Sequence, residues 1–152
     1  MTPPRLLHLC DGDRERHHLA AAIQLLSPGM PMIYYGDEVG MTGAKDPDCR
    51  RGMFWDRSRW DEATWNHYRR LLQLRKAHPA LTEGRLVRQD AWDDLSLIRI
   101  TREKDGRQLT TVFHAAEGAV QLPELAGNVD LITGECFGGT LTGFRAMVFE
   151  TA

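Results

Sequence analysis

Two aspartates and two arginines fall within six residues at Asp46-Pro47-Asp48-Cys49-Arg50-Arg51. Carboxylates accept and guanidiniums donate, so such a group on a loop can grip the hydroxyls of a polyhydroxylated ligand. The same four charges can equally satisfy one another as a salt-bridged loop, and the residues leave both readings open. Asp37-Glu38 is a second acidic pair. Adjacent side chains point in different directions, so these two make a poor acid/base couple, and capping a helix or pinning a loop suits them better.

Trp55 and Trp60 could stack on sugar rings or form a small satellite core. His17-His18, neighbours on an expected helix, cannot share one face and read as surface residues. Met30, Met32 and Met41 flank an apolar run and read as core filler. Three widely spaced cysteines, Cys10, Cys49 and Cys136, form neither a disulfide framework nor a CxxC metal motif, and no HExxH or HxxxH pair occurs. No metal and no cofactor is expected. A net charge of -2 with 26% charged residues argues against a nucleic-acid partner or an anionic membrane. No apolar run approaches the roughly 20 residues of a membrane helix, and the amino-terminal residues do not read as a signal peptide. The cytoplasm, with reduced thiols, is the expected location.

The charged loop needs elements to position it. Leu19, Ala22, Ile23 and Leu26 repeat at helical spacing, which predicts a helix from Asp13 to Leu26 with Asp13 as its cap, stopped by Ser27-Pro28-Gly29. Met30 to Tyr35 is short and apolar, as for a strand buried on both faces. A long polar loop follows from Gly36 to Asp56; loops of this length in compact proteins are functional or disordered. Asp61 caps a second helix to about His78, with Trp65, Tyr68, Leu71 and Leu72 along one side and Pro79 beyond it. After Thr82 the pattern becomes that of strands. Leu95–Arg102 and Gln108–His114 flank a Lys104-Asp105-Gly106 turn, and shorter β pieces are expected at Ala119–Leu122, Val129–Ile132, Thr140–Thr142 and Arg145–Phe149.

Longer motifs narrow this reading. Gly29-Met30-Pro31-Met32-Ile33-Tyr34-Tyr35-Gly36-Asp37-Glu38-Val39-Gly40-Met41 resembles the last barrel strand and following loop of the alpha-amylase superfamily of glycoside hydrolases. The continuation from Thr42 through Asp46, Arg50 and Arg51 to Met53 and Trp55-Asp56 resembles the neopullulanase, cyclomaltodextrinase and maltogenic amylase subgroup. Pro4-Arg5-Leu6-Leu7, Leu71 to Leu81 and Val129-Asp130-Leu131-Ile132-Thr133-Gly134 match further family segments in order.

The resemblance implies an α/β plus all-β chain. Residues 1–82 would be the last helix–strand–helix portion of a (β/α)8 barrel, and 83–152 a C-terminal antiparallel β-sandwich. It implies retaining hydrolysis of α-1,4 or α-1,6 glucosidic bonds in maltooligosaccharides, cyclodextrins or pullulan, with Asp46 and Arg50 binding a glucose unit beside the scissile bond. It also implies what these residues lack. The family's His-Asp would fall on Met1 and Thr2, and its nucleophile and acid/base belong to strands that this sequence does not contain. Gly143-Phe144 stands where the family has Pro-Tyr. The expectation is therefore a chain inactive alone, paired with the missing part of the barrel or with itself. The alternative is a stand-alone carbohydrate-binding or interaction module.

Overall fold

A computed structural model describes residues 3–151. A short helix α1 (Leu6–Leu9) leads into α2 (Arg14–Leu26), and α3 (Glu62–Ala77) packs against it. Six strands follow: β1 (Arg85–Trp92), β2 (Leu97–Lys104), β3 (Arg107–His114), β4 (Ala119–Gln121), β5 (Thr140–Thr142) and β6 (Arg145–Thr151). They form an antiparallel sheet in the order β1-β2-β3-β6 and a separate β4-β5 ribbon. The α/β plus all-β class is the one expected.

Both long helices start where a free carboxylate can take the first orphan N–H groups. Asp13 Oδ1 accepts from Glu15 and Arg16, and Asp61 Oδ1 from Ala63 and Thr64. In α2 the buried face holds Leu19, Ala22 and Leu26 as expected, together with Ala21 and Leu25, while Ile23 is exposed. The buried face of α3 is Tyr68, Leu71 and Leu74, with Leu72 outside. At the exit of α2, buried Arg75 donates to the carbonyls of Leu25 and Gly29, so a guanidinium from α3 satisfies the carbonyls that the helix end leaves open.

Alternation along β3 and β6 builds two cores. Leu109, Phe113 and Val148 join Leu25, Tyr68 and Leu71 in one cluster, on the helix side. Val112, Met147 and Phe149 join Val120, Leu125 and Leu141 in the other, beneath the ribbon. The β2–β3 hairpin closes through Asp105 and Gly106, both at positive φ (52° and 78°), a two-residue turn whose twist suits the flanking strands. Buried Arg102 donates to the carbonyls of Leu81 and Gly84 and ties the end of the helical half to the sheet. Asp130 does the same for the Asp130–Gly134 turn, accepting from Ile132 and from Val148 of β6.

Three local expectations differ from what is seen. Residues 30–34 form no strand; Met30 is 95% and Met32 72% exposed, so the core-filler reading fails for both. A strand needs a neighbour to supply its hydrogen bonds, and none of the described residues does so. Strand β1 was not expected, because its side chains are almost all exposed and give no alternation. Val129 makes only an isolated bridge to Cys136 instead of a strand.

Candidate functional site

The charged loop is held by what it buries. Val39, Met41 and Cys49 are fully enclosed. Gly36, at φ 89°, makes the turn out of the extended segment, and a Cβ there would strike the Met41 side chain. Gly43 lies against the Asp48–Cys49 backbone, where a Cβ would come within 2.9 Å, and its carbonyl accepts from Arg5 N at 3.0 Å. Glu38 folds back to accept from Gly36 N at 2.8 Å, a loop-pinning role. The Tyr35 hydroxyl donates to Arg51 O from across the loop.

On this frame the four charges sort into two pairs. Asp48 is committed to structure. Its Oδ2 accepts from Ala44 N at 2.6 Å and its Oδ1 from Arg51 Nε at 2.7 Å, and these bonds hold its carboxyl below the usual range. Asp46 and Arg50 form the second pair, with Arg50 Nη2 3.0 Å from Asp46 Oδ2. Their side chains remain 39% and 59% exposed, on either side of a cis Asp46–Pro47 bond and a short 3-10 turn. All four charges thus pair within the loop. Asp48 is tied to the backbone as well as to Arg51, whereas Asp46 and Arg50 pair with each other; the side chains of both pairs are partly exposed, at 36% and 50% and at 39% and 59%.

Beneath the loop Asp37 is buried 3.5 Å from Arg5 Nη1, an ion-pair distance without hydrogen-bond geometry. Burial pushes its carboxyl up to about 6, partly opposed by Arg5. Arg5 itself is enclosed, its guanidinium 4.8 and 4.6 Å from the Tyr34 and Tyr35 rings, and it donates through Nη1 to Tyr35 O. Trp55 is 82% exposed on the same long loop. Trp60 instead belongs to a small cluster, donating to Phe54 O and tilted against Trp65 at 5.0 Å. Met1 and Thr2, where the family's His-Asp would fall, lie outside the described residues.

The described residues 3–63 match the alpha-amylase family by its description "Alpha amylase, catalytic domain". A cyclomaltodextrinase of Geobacillus thermopakistaniensis is 34% identical over 88% of this chain and 24% of its own length. Neopullulanase 2 of Thermoactinomyces vulgaris is 34% identical over 86% of this chain and 23% of its own. Over residues 3–63 the chain resembles the alpha-amylase family. A solved cyclomaltodextrinase superposes on 98% of this chain with a TM-score of 0.85 at 28% identity, using 28% of the solved chain. The chain thus spans about a quarter of the length of the curated alpha-amylase-family relatives it matches.

One reading of the residues is overturned. His17 and His18 are not surface residues: His17 is fully buried and His18 half-buried. The His18 ring stacks on His67 of α3 at 4.3 Å and 11°, while the Tyr68 hydroxyl lies 3.5 Å from His17 Nε2. The two side chains do point differently, but α3 covers both directions. The signal lay in His67-Tyr68, a second polar aromatic pair on the facing helix. No group of three or more His, Cys, Asp or Glu among the described residues is arranged to hold a metal, and no helix among them is long and apolar enough to cross a membrane.

Proposed function

We propose that this chain is the portion of an α-glucan-cleaving glycoside hydrolase that carries Asp46 and Arg50 as its sugar-holding residues. The observation behind this reading is the solvent-facing Asp46–Arg50 pair, 3.0 Å apart on a loop whose base is buried. A carboxylate beside a guanidinium offers an acceptor and donors to adjacent hydroxyls of one glucose ring, and binding energy realised there orients a neighbouring glucosidic bond. Residues 1–82 contribute the terminal portion of the catalytic barrel and 83–152 the C-terminal β domain. The substrates are maltooligosaccharides, cyclodextrins or pullulan, cleaved with retention through a glycosyl-enzyme whose nucleophile and acid/base are not among these residues. The protein works in the cytoplasm, the location consistent with a relative named intracellular maltogenic amylase in Bacillus subtilis.

The 152 residues alone are expected to release no reducing sugar from maltotriose, β-cyclodextrin or pullulan. Turnover that co-purifies with the chain and disappears in Asp46→Ala would overturn the assignment of chemistry to other residues. In a protein that also holds the family's three catalytic carboxylates, Asp46→Ala or Arg50→Ala should lower kcat/KM by the equivalent of about 1–3 kcal/mol, the scale of an unmade charged hydrogen bond. Unchanged kinetics would mean that the pair only braces the loop.

A further inference from the structure

A cleft of about 610 Å3 separates α2 and α3 from the turn that leads into β6. Its size falls within the roughly 300–1,000 Å3 of small-ligand sites. The helical wall carries Glu15, His67 and Arg70, and the sheet wall Thr133, Phe144 and Arg145. This is a built surface. The stacked imidazoles are fixed by His18 Nε2 at 2.9 Å from Thr64 Oγ1 and by His67 Nε2 at 2.9 Å from the His18 carbonyl. Phe144 is held by the main core and by the Arg16 guanidinium 4.8 Å over its ring.

Beside Phe144 the floor takes its shape from Gly143. Its φ is +70°, its N–H donates to Gly118 O, and its carbonyl accepts from His114 Nδ1 at 2.8 Å. The Pro-Tyr that the family pattern has at 143–144 could supply neither that φ nor that donor. This part of the cleft follows from the chain's own residues.

The residues that line the cleft carry two charges of each sign. Arg70 and Arg145 line it together with Glu15 and Glu117, and Glu117 also lies 3.9 Å from Arg16 Nη2. The imidazoles add no charge near neutral pH, because burial, helped by the neighbouring His67, His17 and Arg14 against Asp61, pushes His18 down to about 4. Balanced charges exert little net pull on an ion, yet they offer donors and acceptors to hydroxyls, and the aromatic faces suit the C–H face of a pyranose.

We propose that the cleft between α2–α3 and β5–β6 binds an α-glucan chain, apart from the Asp46–Arg50 loop. The choice of α-glucan rests on the proposed function; the call for a neutral polyol rests on the cleft alone. Maltoheptaose is titrated into the 15N-labelled chain, with cellohexaose and inorganic phosphate as the other arms. Saturable shifts are expected at Thr133, Gly143 and Ala146, persisting in the Asp46→Ala/Arg50→Ala double variant. Arg70→Ala, on the exposed side of α3 and remote from the core, should weaken that binding at least fivefold, and Phe144→Ala should do the same if it folds. Shifts confined to residues 44–51 would sink the cleft while supporting the loop. A response to phosphate alone would show an anion site and overturn the proposal. Equal binding of cellohexaose would keep the polyol site and contradict the α-glucan reading. No saturation at the cleft, or affinity untouched by Arg70→Ala, would end the proposal.

Discussion

At the level of single residues, burial decides protonation. His17 and His18 are both pushed down to about 4, first by burial and then by the nearby His67, with Asp61 pulling the other way. Their ordinary value is about 6.5. A histidine whose folded value is depressed is protonated first in the unfolded chain, so stability is complete above about pH 6.5 and declines as pH falls towards 4. Each such group contributes a slope of up to about 1.4 kcal/mol per pH unit in that window. Asp37, raised to about 6, acts in the opposite sense, because the folded state then holds the extra proton and gains as pH falls through 6. Two histidines outweigh one aspartate. The urea midpoint should therefore drop between pH 7 and pH 4.5, and His18→Gln should shrink that drop; an equally steep decline in the variant would assign acid sensitivity to other groups. None of this was legible in His17-His18 as a dipeptide, because what buries them is a helix about 50 residues away.

Secondary-structure elements follow their local signals where those signals are complete. Asp13 and Asp61 stand at both helix starts, and the boundaries lie within a residue of those the caps predict. Asp61 also takes Arg14 Nε at 2.7 Å, so a single carboxylate caps α3 and pairs with α2. Asp61→Ala should cost about 1–2 kcal/mol in denaturant unfolding, and Asp61→Asn should recover most of it, since the cap needs an acceptor more than a charge. Equal losses in the two variants would give the stabilisation to the Arg14 pair instead. The β2–β3 hairpin was equally readable, because Asp-Gly between two apolar runs leaves few backbone options. Strand β1 was not, since an edge strand exposed on nearly all its residues carries no periodicity to read.

For the molecule as a whole, Met30, Met32 and Leu9 are open to solvent at 95%, 72% and 58%. A concavity of about 490 Å3 lined by Leu6, Leu9, Met32 and Tyr34 lies beside them, and enclosed Arg5 has two nitrogens without a partner there. Contiguous apolar surface of this kind promotes association. Sedimentation velocity of the isolated chain at micromolar concentration should show species larger than a monomer, and Met32→Glu should shift them towards monomer. A monodisperse monomer at every concentration would exclude the idea.

The apolar and charged pattern along the chain sufficed for the two helices, their caps, the hairpin and the loop that carries Asp46 and Arg50, while the family resemblance came from longer motifs spread along the chain. The helix, cap and hairpin signals each lie within a few residues of one another. The tertiary structure was needed for what depends on distant neighbours. It paired four loop charges as Asp48–Arg51 and Asp46–Arg50, left residues 30–34 without a strand partner, and buried His17 under α3. It also formed the cleft at Gly143-Phe144. Local sequence specifies which bonds a residue can make, but only the packed chain decides which partners arrive to make them.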